Sequence, residues 1–275
     1  MLTKILPMHR ILALLFSLVL LALLISCNQG SQVFTKEEQQ WLKNSEGTLE
    51  VLFGYQAPPN AYHDEDGNYT GLLVDFLEEI EKIVGISFSY RNFDTWNELI
   101  EHSKTSNNFI VVGIAETADR SRYLSFTDPF IKVPYIIVSK RSSSIGNIDD
   151  LAGKTVTTVA NYAINDYLQE NYPKLYLSPV ADNLEGLRGV STGVFEAMIL
   201  NQMYASHIIE EQGLTNLKIA GESGYLNRLS AATSINDQRL STILEKAVDQ
   251  IDPRTRRLLY QRWLGQTGDI MSSTL

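Results

Sequence analysis

The chain has one cysteine, Cys27, among 275 residues, so no intramolecular disulfide can form. Its histidines, His9, His63, His102 and His207, are scattered and show no metal-ligand spacing. Basic residues are in the minority. Lys and Arg number 23 against 32 Asp and Glu, for a formal charge of −9. No basic patch appears, which argues against a nucleic-acid partner. No internal repeat is present, and no low-complexity tract beyond the short spacer at 28–33. No apolar run reaches the about 20 residues of a membrane span; the longest is Ile11 to Ile25.

That run has a use of its own. Lys4, His9 and Arg10 precede it and Ser26-Cys27 follow it. A short apolar core behind a basic start reads as an export signal, with an uncleaved signal anchor as the alternative. Loss of Lys4 and Arg10 with the leader makes the remainder more acidic still. An acidic body suits a position near a membrane without lying flat on anionic lipid. Leu24-Ile25-Ser26-Cys27 resembles the lipobox of bacterial lipoproteins. The resemblance implies cleavage before Cys27 and lipidation of its sulfur, which accounts for a lone cysteine in an exported chain. Several acyl chains, at ~0.8 kcal/mol per buried methylene, would anchor it firmly. Asn28 after the cysteine resembles the outer-membrane sorting pattern of enteric-type bacteria.

The rest alternates apolar strands with amphipathic helices. Thr35 and Glu38 form a capping box for a helix to about Asn44. Leu49 to Gly54 reads as a core strand, and Tyr55 to Tyr62 as a loop stiffened by Pro58-Pro59. Asp66-Gly67 tips a hairpin turn. Asp64, Asp66, Asn68 and Asp75 fall at EF-hand offsets, but Tyr69 stands where that loop needs glycine, so the turn is the better reading. Leu72, Leu73, Phe76, Leu77, Ile80, Ile83 and Val84 recur at helical spacing up to Gly85. A strand at Ile86 to Tyr90 follows, then a helix capped by Thr95 and Glu98 that carries Trp96, Leu99 and Ile100, then a strand from Phe109. This rhythm means a parallel sheet. A second unit repeats it. Strands are expected at 155–159, 176–179, 194–200, 218–220 and 228–233, and helices at 163–171, 183–190 and 203–212. Leu240 to Ile251 and a helix opened by Asp252-Pro253 close the fold.

The organising stretch runs from Gly113 to Phe130. A buried strand ends there, and a polar loop with two arginines closes on Thr127-Asp128-Pro129. Loops at strand ends are where α/β proteins place ligand groups. Arg120 offers a fixed fork of donors to a carboxylate or phosphate; the alternative for Arg120 or Arg122 is a solvated surface charge. Thr117, Arg120, Phe126, Asp128, Pro129 and Phe130 in this spacing resemble the signature of bacterial periplasmic solute-binding proteins of the polar amino acid type, family 3. The resemblance covers about Leu49 to Leu264. It extends to Ile148-Asp149-Asp150-Leu151-Ala152-Gly153-Lys154, which opens the second lobe in that family. Glu211 to Lys218 is closest to the flytrap sensor domains of hybrid histidine kinases.

What the resemblance implies is an α/β, two-lobed Venus flytrap fold, type II, with a hinge and an interlobe cleft. The expected division is a lipoprotein signal at 1–26, a spacer and helix at 27–47, lobe 1 at 48–138 and 229–264, lobe 2 at 139–228, and a tail at 265–275. Arg120 is expected to grip a ligand carboxylate and Thr117 to add a hydroxyl. Tyr55 and Tyr62 flank the first cleft loop, as stacking platforms or as packing. Asn161, Tyr162 and Asn201 face the cleft from the second lobe. Glu116 can pair with Arg120 instead of leaving it for a ligand. Amino acid binders usually place an aspartate where Asn201 stands and an aromatic near Ala57 or Asn60, and Ala115 replaces a common hydroxyl donor. A buried ammonium without a counter-charge costs several kcal/mol, so an ordinary α-amino acid is in question. The partners implied are a small ligand, the membrane through Cys27, and an ABC permease or transmembrane sensor. No metal or cofactor is called for. Two other readings stay open: a small-acid dehydratase on the same scaffold, with Glu116 as general acid, and an interaction module whose cleft has decayed.

Overall fold

Strand β1 (Glu50–Phe53) is apolar on both faces and needs cover on each. The hairpin of β2 (Tyr62–His63) and β3 (Tyr69–Thr70) follows it. Before them α1 (Lys36–Ser45) opens on the expected capping box, with Glu38 N donating to Thr35 Oγ1 at 3.2 Å and Thr35 N to Glu38 Oε2 at 2.7 Å. Helix α2 (Leu72–Val84) buries Leu72, Leu73, Phe76, Leu77 and Ile80 and ends on left-handed Gly85. Then come β4 (Ser89–Asn92), α3 (Trp96–Thr105) and β5 (Phe109–Ala115). β1 pairs in parallel with β4 on one side and β5 on the other, as the rhythm predicts. The computed structural model describes residues 33–54 and 58–264. The leader, Cys27, Tyr55, Ala57 and the tail lie outside the described residues.

A single 3-10 turn, Arg120–Arg122, leads to the short strand β6 (Leu124–Phe126), which the sequence did not announce. β7 (Ile131–Lys140) then leaves the first lobe. The second lobe holds β8 (Thr155–Thr157), α4 (Ala163–Asn171), β9 (Tyr176–Leu177), α5 (Asn183–Thr192), β10 (Ala197–Asn201) and α6 (Gln202–Glu211). β11 (Leu217–Ser234) returns, and α7 (Gln238–Gln250) and α8 (Pro253–Leu264) complete the first lobe. Strands expected separately at 218–220 and 228–233 are one strand, β11, which pairs with β7 between Leu217 and Leu229, with two breaks, and with β5 and β6 from Leu229 to Ser234. The sheet order is β4-β1-β5-β11-β7-β10-β8-β9, with β6 on β11.

Four buried clusters follow from this. Two lie on either face of the β1–β5 region and two on either face of the β8–β10 region. Phe130, Ile131 and Val133 belong to the first lobe's core, whereas Tyr135 to Val138 pack in the second. The chain therefore crosses at Val133–Tyr135, earlier than the boundary expected at 138, because Tyr135 onward is paired with β10. Among the described residues no helix is long and apolar enough to cross a membrane.

The closing helix is tied in by polar bonds, one of them buried. Tyr260, 1% exposed, donates from its hydroxyl to Phe130 O at 2.6 Å. Asp75 accepts from Arg262 Nη1 at 2.9 Å and Trp263 Nε1 at 2.7 Å. Tyr260→Phe keeps the ring and leaves the carbonyl unpaired in an apolar setting. A loss of about 1–3 kcal/mol in denaturant unfolding is expected; an unchanged midpoint would show that water reaches Phe130 O.

Candidate functional site

The site starts at a bulge. β11 pairs Ser230 with Ile114 and Ala231 with Val112, which leaves Gly113 as an extra residue in β5. Gly113 has φ +77°, and a Cβ there would meet Leu73 Cδ1 at 2.6 Å, so only glycine fits. The bulge stands two residues before Ala115, whose carbonyl accepts from Arg120 Nη1 at 2.6 Å. Thr117 Oγ1 accepts from Arg120 N at 3.3 Å and holds the turn. Arg120 Nη2 donates to Asn161 O at 2.6 Å, from the other lobe. The Arg120 guanidinium carbon also stands 5.5 Å from the Trp96 ring centre.

Arg120 is 5% exposed, and among the described residues it makes no ion pair. Burial presses its guanidinium below the usual arginine range. Two of its five donors are met by carbonyls, and among the described residues no carboxylate forms an ion pair that would offset the buried charge. It lines a cavity of about 360 Å³ between the lobes, within the about 300–1,000 Å³ typical of small-ligand sites. Trp96, at the first turn of α3, and Tyr162, Asn183, Asn201 and Tyr204 of the second lobe line it too. Among the described residues no cluster of ligating side chains could hold a metal ion.

Direct bonds join the lobes around this cavity. Asn60 Nδ2 donates to the Tyr204 hydroxyl at 2.6 Å, and Asn161 Nδ2 to Asn97 Oδ1 at 2.6 Å. Trp96 meets Tyr162 edge-on at 5.9 Å. Burial pushes the Tyr162 hydroxyl up to about 12, while its hydrogen bond with Asn183 and the Arg120 charge pull the other way. The Tyr204 hydroxyl is raised further by the same burial. Both stay neutral hydrogen-bonding groups at physiological pH.

The residues expected at the site fare unequally. Arg120, Tyr162 and Asn201 line the cavity. Asn201 is 2% exposed, but its Oδ1 is taken up capping α6, accepting from Met203 N at 2.8 Å. Asn161 is exposed at φ +60° and sits on the rim, contributing its carbonyl to Arg120 and its amide to Asn97. Thr117 holds the Arg120 turn and is not among the lining residues. Glu116 does not pair with Arg120; it is exposed and accepts from Ser121 Oγ at 2.9 Å. Tyr62 faces Trp263 of α8 edge-on at 6.4 Å and is not among the residues that line the cavity. Sequence reasoning missed Trp96, Asn183, Tyr204 and His207 as wall residues. Trp96 shares its helix with Leu99 and Ile100, a pattern that resembles core, and Tyr204, His207 and Glu211 share an i, i+3, i+7 face that flags α6 as a cleft wall.

The model of the bacterial extracellular solute-binding proteins, family 3, matches residues 49–266, and the chain belongs to that family. It is 24% identical over 247 residues to the virulence sensor protein BvgS of Bordetella pertussis, covering 89% of this chain and 20% of that protein. The chain thus spans about a fifth of the length of that sensor. It is 25% identical over 237 residues to the probable amino-acid-binding protein YxeM of Bacillus subtilis, covering 84% of this chain and 86% of that one. The crystal structure of the BvgS periplasmic VFT2 domain superposes with a TM-score of 0.75 at 24% identity, over 84% of this chain and 98% of that one. The fold is that of the type II Venus flytrap proteins.

The bond from Asn60 spans the cleft and is testable. Tyr204→Phe leaves Asn60, 4% exposed, without its acceptor and costs the closed form about 1–3 kcal/mol. Small-angle scattering should give a larger radius of gyration than for the parent chain. Identical curves would mean that the bond does not hold the lobes together.

Proposed function

We propose that the protein captures a small carboxylate-bearing solute, an amino acid or a related compound, between its lobes, while Cys27 anchors it to an extracytoplasmic membrane face. It presents its occupied form to an ABC transporter or to a membrane sensor. The observation that carries the reading is the Arg120 guanidinium, buried in the cavity wall and lacking an ion pair among the described residues. A buried cation is stable only where something compensates it, and two carbonyls do so in part. A ligand carboxylate would complete the compensation through charge-assisted bonds. Trp96 Nε1, buried in the same wall without a partner, adds a donor beside Arg120. Kinship with both a sensor protein and an amino-acid-binding protein supports either output. The dehydratase reading loses its named acid, since Glu116 is exposed and hydrogen-bonded to Ser121.

Thermal shift against small carboxylates tests the proposal. A ligand present at 100 times its Kd stabilises the chain by about 2.7 kcal/mol. Arg120→Gln, which removes the charge and leaves one amide nitrogen in place of the guanidinium fork, should weaken such a ligand by tenfold or more, as loss of a charge-assisted bond of about 1.5–3 kcal/mol requires. An unchanged carboxylate-dependent shift in that variant would show that the grip lies elsewhere.

A further inference from the structure

Net charge hides a local exception. The chain carries −9 overall, yet α8 has four arginines, Arg254, Arg256, Arg257 and Arg262, and no acidic residue. The helix sorts them by face. Arg256 turns inward, with Nε donating to Ile251 O at 3.0 Å and Nη2 to Val248 O at 2.6 Å. Tyr260 belongs to the first-lobe core, and Leu259 and Trp263 pack against it. Outward lie Arg254, Arg257, Leu258 and Arg262, at i, i+3, i+4 and i+8, all exposed.

The charge of this stripe is little offset. Arg254 and Arg257 make no ion pair among the described residues. Asp252, just before the helix, is engaged at its start: Oδ1 accepts from Arg254 N at 2.8 Å and Oδ2 from Thr255 Oγ1 at 2.6 Å. Arg262 pairs with Asp75 at 2.9 Å, but its side chain is still 64% exposed. Leu258 is 64% exposed as well. One apolar side chain flanked by three guanidinium groups suits a phospholipid surface, where cations meet phosphates and an apolar tip reaches below them.

The tether favours lipid over an acidic protein. With Cys27 held in a leaflet, only five residues, 28–32, separate it from Val33. At about 3.5 Å per extended residue they reach roughly 20 Å. Val33 packs against the same core as Leu259 and Trp263, so α8 belongs to the lobe that the tether holds. A short tether keeps the lipid surface at high effective concentration, whereas a protein partner must be met by diffusion. Resting on the Cys27 anchor proposed above, we infer that the outer face of α8 docks on anionic phospholipid headgroups, with Arg254 and Arg257 on phosphates and Leu258 between them. Docking holds the first lobe at the membrane and leaves the second free to swing. The acidic remainder of the surface is repelled by the same lipid, so this one stripe also sets which way the cleft faces.

The test uses the full chain reconstituted in vesicles of phosphatidylcholine, with or without phosphatidylglycerol. A fluorophore on Leu258→Cys reports contact with a headgroup-labelled quencher lipid. A control fluorophore sits on Val194→Cys of the second lobe, 68% exposed in the parent chain. Quenching at 258 should rise at least twofold with phosphatidylglycerol and fall as salt is added, while quenching at 194 stays unchanged. Arg254→Gln with Arg257→Gln should lower the ratio of docked to free chain roughly twentyfold, since each basic residue near an anionic leaflet is worth about fivefold. Equal quenching in both lipids, or quenching that survives the paired substitution, would overturn the docking face. A response to soluble polyglutamate as large as that to the vesicles would overturn the lipid assignment and give the face to an acidic protein. Flotation with phosphatidylcholine vesicles reports the anchor separately, because acyl chains need no anionic lipid. Failure to float, with arginine-dependent quenching by phosphatidylglycerol, would remove the anchor and keep the face.

Discussion

The guanidinium of Arg120 touches both halves of the molecule. One nitrogen is held by the carbonyl of Ala115 in the first lobe and another by the carbonyl of Asn161 in the second. Much of the surrounding architecture serves to place that one buried charge. The Gly113 bulge, Thr117 and the Trp96 ring each define part of its position. A fixed charge with its donors already oriented needs no rearrangement when an anion arrives, and preorganisation of this kind is a large part of affinity. The same contacts also make closure and recognition one event, because the partner of Nη2 comes from the opposite lobe.

The bonds from Asn60 to Tyr204 and from Asn161 to Asn97 act in parallel with Arg120. They involve no ligand and favour the shut form by themselves. A ligand shifts such an equilibrium only through its better contacts in one form than in the other. Cross-lobe protein bonds therefore set the baseline from which a ligand works.

Much of the fold was legible in the sequence. The helical spacing of Leu72 to Val84, the capping box at Thr35 and the strand–helix rhythm are local signals, and local signals survive into the structure. β11 was not legible as one strand because its middle, Gly221 to Tyr225, is polar and glycine-containing; its continuity comes from pairing with β7, which is a long-range fact. At the site, Arg120 could be named because its loop follows a buried strand and because its spacing from Thr117, Phe126, Asp128 and Pro129 resembles the family's signature. Trp96 could not, since an aromatic at helical spacing with Leu99 and Ile100 reads as core. Glu116 and Tyr62 were misplaced for a simpler reason. Sequence proximity to the cleft loops does not fix side-chain direction, and both turn away. Asn201 lines the cavity, yet its carbonyl is spent on backbone.

The two crossings between lobes lie side by side in β7 and β11, hydrogen-bonded to one another. Their ladder is interrupted between Glu222 and Leu226, opposite Ile136 and Pro134. Proline brings no amide proton to that ladder. Ser223, fully buried, reaches across with its hydroxyl to Tyr135 O at 2.8 Å and bridges the gap by a side chain. The pair is thus thinnest between Glu222 and Leu226, with a second shift of register between Ile219 and Gly221. A strand pair bends most easily where its ladder is broken, so any closing of the lobes would draw on this section whatever the cargo. Residues 223–225 can tune how readily the jaws shut while the surfaces that grip stay the same.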